Sequence, residues 1–347
     1  MIKFLNEIEK NDSFEILNSK CINWDFYKNS SILITGATGM IAFQIITALL
    51  LANEKYDLNI TIYALARNKE KTIKKFADKI TPNLHFIFQD ITEKINCPAV
   101  DFIIHTANGT ASKGFVENPV ETIDTIVIGT KNILEFAKDK AVKSVIYLSS
   151  MEVYGNISTE RVEPLKESDY GYMDLMKVRN SYPLGKRLAE NMCCAYFSQY
   201  DVPVKIARLS QIIGSGVDYN DNRVFAQFAR NIVENKDIIL KTPGLTVRSY
   251  CYVTDCVIAL LLMSEIGHNG EVYNIANPDT TCSIREMAEM LCKKYPSSNL
   301  KINVDDRLYP DTTKYYLDTT KYYLDTGWTP SVSLEDMYSR LIENFKK

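Results

Sequence analysis

Over the first 210 residues, short apolar runs alternate with longer segments whose apolar positions recur at helical spacing. The runs predict β-strands at Ile32–Ile34, Asn59–Ala66, Leu84–Phe88, Asp101–Thr106, Ser144–Ser149 and Val202–Leu209. Between them the periodicity predicts helices at Ile41–Asn53, Lys69–Lys79, Pro119–Lys138 and Tyr182–Tyr200. Strands that are apolar throughout, rather than alternating, belong to a parallel sheet covered on both faces. The fold class is therefore α/β, with a doubly wound parallel sheet.

Beyond Leu209 the regular alternation fails. Helices are expected at Arg223–Asn235, Thr254–Glu265, Ser283–Lys294 and Leu334–Phe345, with strands at Ile238–Leu240, Arg248–Val253 and Glu271–Ala276. Residues 1–30 read as a helical lead-in, 31–209 as a nucleotide-binding domain, and 210–347 as a smaller interleaved substrate lobe, with 248–276 partly returning to the first domain. One heptapeptide, TKYYLDT, occurs twice in tandem, at Thr313–Thr319 and Thr320–Thr326. Two copies are too few for a solenoid.

The first strand leads into a turn containing Gly36 and Gly39, followed by an apolar helix with Ala42 at the third small position. Gly tolerates the backbone such a turn needs. The helix start presents free N–H groups and a positive dipole end to a pyrophosphate. Two further features carry potential chemistry. Ser149 and Ser150 end the fifth strand, followed by Glu152. Tyr182 and Lys186 stand one helical turn apart, at a helix entrance where Pro183 is tolerated. A phenol is a poor base near neutral pH; an adjacent ammonium would favour its phenolate.

Composition narrows the field. Apolar residues at 46% and charged residues at 24% suit a globular chain, and a net charge of −3 without a basic stripe argues against nucleic acid. The N-terminal stretch is too polar for a secretory signal. The runs at Ile41–Ala52 and Val257–Met263 are too short to span a bilayer. Eight Cys without a Cys-x-x-Cys pair read as buried free thiols of a cytoplasmic protein. Three scattered His give no metal-ligand spacing.

The ordered set TGATGMIA, Asp90-Ile91, IIHTA, YLSSMEVYG, Tyr182-x-x-x-Lys186, RSYCYVTD and DTGWTP resembles the extended short-chain dehydrogenase/reductases that act on nucleotide sugars. RNSYPLGKRLAENMCCAY followed by Asn222-Arg223-Val224-Phe225 is most similar to the UDP-glucuronate decarboxylase branch. The resemblance implies a Rossmann-type domain. It implies cofactor contacts from Gly36, Thr38, Gly39, Met40, Ile41, Arg67, Asp90, Ile91, Ala107 and Lys186. Ser150, Tyr182 and Lys186 would be catalytic, with Glu152 beside them. Ser150, Asn222, Arg223 and Arg248 would hold the substrate, Arg248 at its diphosphate. It also implies a homodimer through the Pro119–Lys138 and Tyr182–Tyr200 helices.

Two departures shape the expectation. Arg67 stands where NAD-preferring members carry an acid, which points to NADP(H) rather than NAD. Met151 replaces the Asp of the dehydratases, which disfavours 4,6-dehydration. The expected function is modification of a nucleoside-diphosphate sugar through a keto intermediate, by epimerisation or decarboxylation. The alternatives are an NADPH-dependent reductase of a keto sugar or ketose and, more remotely, a non-catalytic nucleotide sensor.

Overall fold

The computed structural model describes residues 3–4, 6–109, 112–158, 160–304 and 313–346; positions 1, 2 and 5 of the expected lead-in lie outside them. The strands are β1 (Ser31–Thr35), β2 (Thr61–Ala66), β3 (Leu84–Phe88), β4 (Phe102–His105), β5 (Ser144–Ser150), β6 (Val204–Leu209), β7 (Gln211–Ile213), β8 (Ile238–Leu240), β9 (Val247–Tyr252), β10 (Val272–Ile275), β11 (Asn277–Ser283), β12 (Leu300–Ile302) and β13 (Lys314–Tyr315). The helices are α1 (Glu7–Leu17), α2 (Met40–Tyr56), α3 (Lys69–Phe76), α4 (Ser112–Glu117), α5 (Pro119–Lys140), α6 (Ser181–Tyr200), α7 (Val224–Val233), α8 (Val253–Ile266), α9 (Ile284–Lys294), α10 (Thr320–Thr326) and α11 (Leu334–Phe345).

Seven parallel strands form the main sheet in the order β10-β6-β5-β4-β1-β2-β3. Ile32 and Ile34 of β1 face a core shared with α2 and α8, while Leu33 faces one shared with α5 and α6. That alternation explains the continuous apolar run of β1. The direction of winding reverses between β1 and β4, so a crevice opens at their carboxyl ends.

β9 joins β11, β13 and β7 in a second sheet, and β8 pairs with β12. Only β10 adds to the main sheet, at its edge beside β6. The tandem heptapeptides also part company. The first copy holds β13 and alternates buried and partly exposed residues, with Leu317 fully buried. The second is α10, with Tyr322 buried and Leu324 73% exposed.

All eight Cys are free, but Cys21 and Cys194 are exposed, so the expected burial holds for only part of the set. On α5 and α6, Ile126, Ile133 and Leu134 are consumed by the chain's own core, leaving Val120, Ile123, Ile128 and Leu188 exposed. No helix among the described residues is long and apolar enough to cross a membrane. No group of three or more His, Cys, Asp or Glu among them could hold a metal ion.

Candidate active site

The crevice is a cleft lined by the β1–α2 turn, the ends of β4, β5 and β6, the start of α6, and Arg223 before α7. The space between these residues, which opens to solvent, is about 1080 Å³. Of the expected residues it brings together Gly39, Met40, Ile41, Ser150, Glu152, Tyr182, Lys186 and Arg223.

The turn is shaped for close approach. Gly36 has φ +65°, and a Cβ there would lie 2.8 Å from the Cα of Ala107. Gly39 caps α2 without a side-chain bond to its first N–H groups. Those groups therefore remain available to an anion. Lys75 donates to the carbonyl of Thr38 at 2.8 Å, bracing the turn from α3. Thr35 Oγ1 accepts the N–H groups of Thr106 and Ala107 at 3.1 and 3.2 Å, which leaves its proton for His105 Nδ1 at 2.8 Å. Burial pushes His105 down to about 3, with the Lys186 charge adding to the effect. The imidazole is thus neutral and orders the IIHTA turn. Within the cleft, both amide atoms of Asn108 and the hydroxyl of Ser210 are buried without a protein partner. A Gly cradle, free helix N–H groups and unpartnered polar atoms fit a dinucleotide with one end of a sugar beside it.

Past the carboxyl end of β2, Arg67 lies 3.6 Å from Asp90 and its side chain is 74% exposed. Asp90 also accepts the N–H and hydroxyl of Thr92. Burial works to raise its pKa, but the Thr92 bonds and the Arg67 charge prevail and hold it below the usual range. Ile91 is buried against Gly129 of α5.

Alternation along β5 separates its two terminal serines. Ser149 Oγ bonds Glu190 at 2.5 Å, and Glu190 is itself held by the buried Arg208 at 2.7 Å. Ser150 Oγ accepts the N–H of Glu152 at 3.2 Å. Pro183 falls in the first turn of α6, as the sequence requires, so Tyr182 and Lys186 both face the cleft.

Tyr182 and Lys186 differ from expectation in their coupling. Burial pushes the Tyr182 phenol above its usual value, and the Glu152 charge adds to this against Ser150, Arg179 and Arg223. Lys186 Nζ instead donates to the carbonyl of Leu148 at 2.5 Å and rests 4.7 Å from the Tyr147 ring centre. Burial pushes Lys186 down to about 7, against the charges of Glu190 and Cys193. Without ligands, desolvation outweighs the helical-turn proximity on which the expected coupling was based.

Two cleft neighbours were not anticipated. Phe115 of α4 stacks on the Tyr182 ring at 4.1 Å and 9°. Arg179 pairs with Glu152 at 3.0 Å and lies 5.1 Å from the Phe115 ring centre. Arg179 sits three residues before Tyr182, and that spacing at a helix entrance was the available signal. Of the expected substrate residues, Arg223 is held bidentately by Asp221. Asn222 is exposed. Arg248 is not among the residues lining the cleft; it lies against Tyr315, within electrostatic reach of Glu152 and Arg179.

Residues 32–276 match the model of the NAD dependent epimerase/dehydratase family. UDP-glucuronic acid decarboxylase 6 of Arabidopsis thaliana is 30% identical, over 92% of this chain and 90% of that protein. UDP-glucuronic acid decarboxylase 1 of Danio rerio is 29% identical, over 91% of this chain and 72% of that protein. In fold, the chain is similar to UDP-glucose 4-epimerase from Thermotoga maritima with UDP-glucose, at TM-score 0.76 and 23% identity, covering 91% of this chain and 98% of that one. It is also similar to UDP-glucuronic acid 4-epimerase from Bacillus cereus in complex with UDP-glucuronic acid and NAD, at TM-score 0.74 and 22% identity, covering 91% and 99%.

Proposed function

Since the chain belongs to the NAD dependent epimerase/dehydratase family, we propose that its cleft converts a nucleoside-diphosphate-linked uronic acid by oxidation at C4, loss of carbon dioxide from the β-keto acid, and re-reduction. The observation that carries this reading is the convergence of Ser150, Tyr182 and Glu152 on one cleft, with Arg179 fixing Glu152. Relatives that share about 30% of their residues over most of their length carry the name UDP-glucuronic acid decarboxylase, which supports the same choice.

A bound nicotinamide dinucleotide supplies the hydride acceptor and donor. Gly36, Thr38, Gly39, Met40 and Ile41 hold its pyrophosphate, Asp90 and Ile91 flank its adenine, and Ala107 lines its path. Tyr182 Oη takes the C4 hydroxyl proton and later returns it, oriented by Ser150 Oγ. Lys186 turns from the Leu148 carbonyl to the cofactor's ribose, where its charge favours the phenolate. Glu152 positions the sugar, while Arg248, Arg223 and Asn222 hold the rest of the substrate.

The cofactor preference is for NADP(H), because Arg67 is exposed and only loosely paired with Asp90, leaving a guanidinium for a 2′-phosphate. The same arginine favours the second reading, a one-way NADPH-dependent reductase of a nucleotide-linked keto sugar, for which a neutral Tyr182 is already the required proton donor. Residues 31–209 form the cofactor domain and 210–347 mainly the substrate lobe, with 248–276 partly returning to the cofactor domain. The free thiols suit a reducing compartment, and the cytoplasm is the proposed location. Val120, Ile123 and Leu188 form the exposed seam of a homodimer through α5 and α6; a monomer mass by light scattering at micromolar concentration would contradict this.

Incubating the purified protein with UDP-glucuronate and other UDP-sugars, with and without NADPH, and weighing the products tests the reaction. Formation of UDP-pentose from UDP-glucuronate is expected. A product retaining the carboxyl group, or none, would contradict the reading.

A further inference from the structure

We propose that Tyr315, in the first copy of the tandem heptapeptide, is a positioning residue that holds the Arg248 guanidinium for the substrate and is itself anchored to the turn carrying Glu152. This rests on the reading that Arg248 grips the substrate's diphosphate.

Three contacts carry the inference. The Tyr315 ring centre lies 4.3 Å from the Arg248 guanidinium carbon. Tyr315 and Arg248 are register partners in the parallel pairing of β13 with β9. The Tyr315 hydroxyl donates to the carbonyl of Gly155 at 2.8 Å, and the N–H of Gly155 donates in turn to the carbonyl of Glu152. One side chain therefore touches the substrate arginine with its face and the catalytic turn with its hydroxyl. The adjoining backbone reinforces the grip, since Arg248 also donates to the carbonyl of Thr313 at 3.0 Å.

The geometry explains why the guanidinium holds one pose. A cation over an aromatic face is attracted by the ring quadrupole, and a pre-set arginine loses less freedom on binding a diphosphate. Gly155 is a fixed anchor: it has φ +69°, and a Cβ there would lie 2.7 Å from the carbonyl oxygen of Tyr172. The second copy provides a built-in comparison. Tyr322, in an identical heptapeptide, instead donates to the carbonyl of Ala259 at 2.6 Å and packs against Tyr273 and Trp328. It touches none of the groups described in the cleft.

The test measures UDP binding by calorimetry to the wild-type chain and to Tyr315→Leu, Tyr315→Phe, Tyr322→Leu and Arg248→Ala, with thermal midpoints recorded for each. Tyr315→Leu should weaken UDP about tenfold. Tyr315→Phe, which keeps the ring over Arg248, should recover most of that affinity. Tyr322→Leu should lower the thermal midpoint and leave UDP binding at the wild-type level. Wild-type affinity in Tyr315→Leu while Arg248→Ala binds weakly, or a Tyr315→Phe no better than Tyr315→Leu, would overturn the proposal alone. Wild-type affinity in Arg248→Ala, or no UDP binding by the wild type, would remove the diphosphate reading and the proposal with it.

Discussion

A single terminal nitrogen of Arg179 contacts both carboxylate oxygens of Glu152, at 3.1 and 3.0 Å, at the mouth of the cleft that holds Tyr182. Both partners are partly exposed, so the pair adds only about 0–1 kcal/mol to stability; its effect is on placement. Glu152→Gln should leave the thermal midpoint almost unchanged and lower kcat about 10²-fold, within the range for positioned acid–base groups. Because the Glu152 charge raises the Tyr182 pKa, any limb of the pH–rate profile belonging to that phenol should move to lower pH in the variant. Near-normal turnover would remove Glu152 from the reaction.

Tyr182→Phe keeps the ring stacked on Phe115 and deletes the hydroxyl proposed to carry the proton. Turnover should fall about 10²–10⁴-fold, with the thermal midpoint and cofactor affinity retained. Steady-state kinetics beside a thermal melt checks this, and a variant within a few-fold of wild type would show that another group moves the proton.

The proposed preference for NADP(H) rests on Arg67. Arg67→Ala should weaken NADPH about tenfold, as for loss of a charge-assisted hydrogen bond, and leave NADH within about twofold. Fluorescence titration with both cofactors decides it. Equal affinity of the wild type for the two would contradict the role given to the guanidinium.

Asp12 makes stability depend on pH. Its carboxylate is fully buried, bonded by the Tyr252 hydroxyl at 3.0 Å and approached by Arg340 at 3.3 Å. Burial raises its pKa from 3.8 to about 6, opposed by Ser215, Tyr252 and Arg340, with Glu15 adding to the rise. The folded state thus binds the proton more tightly than the unfolded one. Its contribution is full below about pH 4 and is lost as pH rises through about 6. Relative to Asp12→Asn, the wild type should lose up to about 3 kcal/mol across that window and nothing further above it. Chemical denaturation at pH 4, 5, 6 and 7 measures the difference; a constant gap would contradict the assignment.

The main sheet was legible because its central strands are buried on both faces and carry continuous apolar runs, as in Ile32–Ile34 and Val145–Leu148; β6 is the exception, since it buries Lys205 and Arg208. The Gly turn and the Tyr-x-x-x-Lys spacing were legible for a similar reason: local geometry dictates them. What escaped was set by tertiary partners. β11 reads NPDTTCS and is a strand only because β9 lies beside it. Tyr315 and Tyr322 make the point within one chain, since the same seven residues give the two-residue strand β13 against Arg248 in one copy and the helix α10 against Trp328 in the other. Lys186 shows the limit for electrostatics, because its proximity to Tyr182 was visible and the desolvation that governs both groups was not.

The central claim is that the keto intermediate is formed and consumed within one cleft with no net change in the cofactor. Its most direct test follows carbon dioxide release from carboxyl-labelled UDP-glucuronate while monitoring NADPH absorbance in the same cuvette. Release of label over many turnovers with constant absorbance is the predicted result. Product formed only with stoichiometric loss of NADPH absorbance, and no label released, would contradict it and leave the reductase in its place.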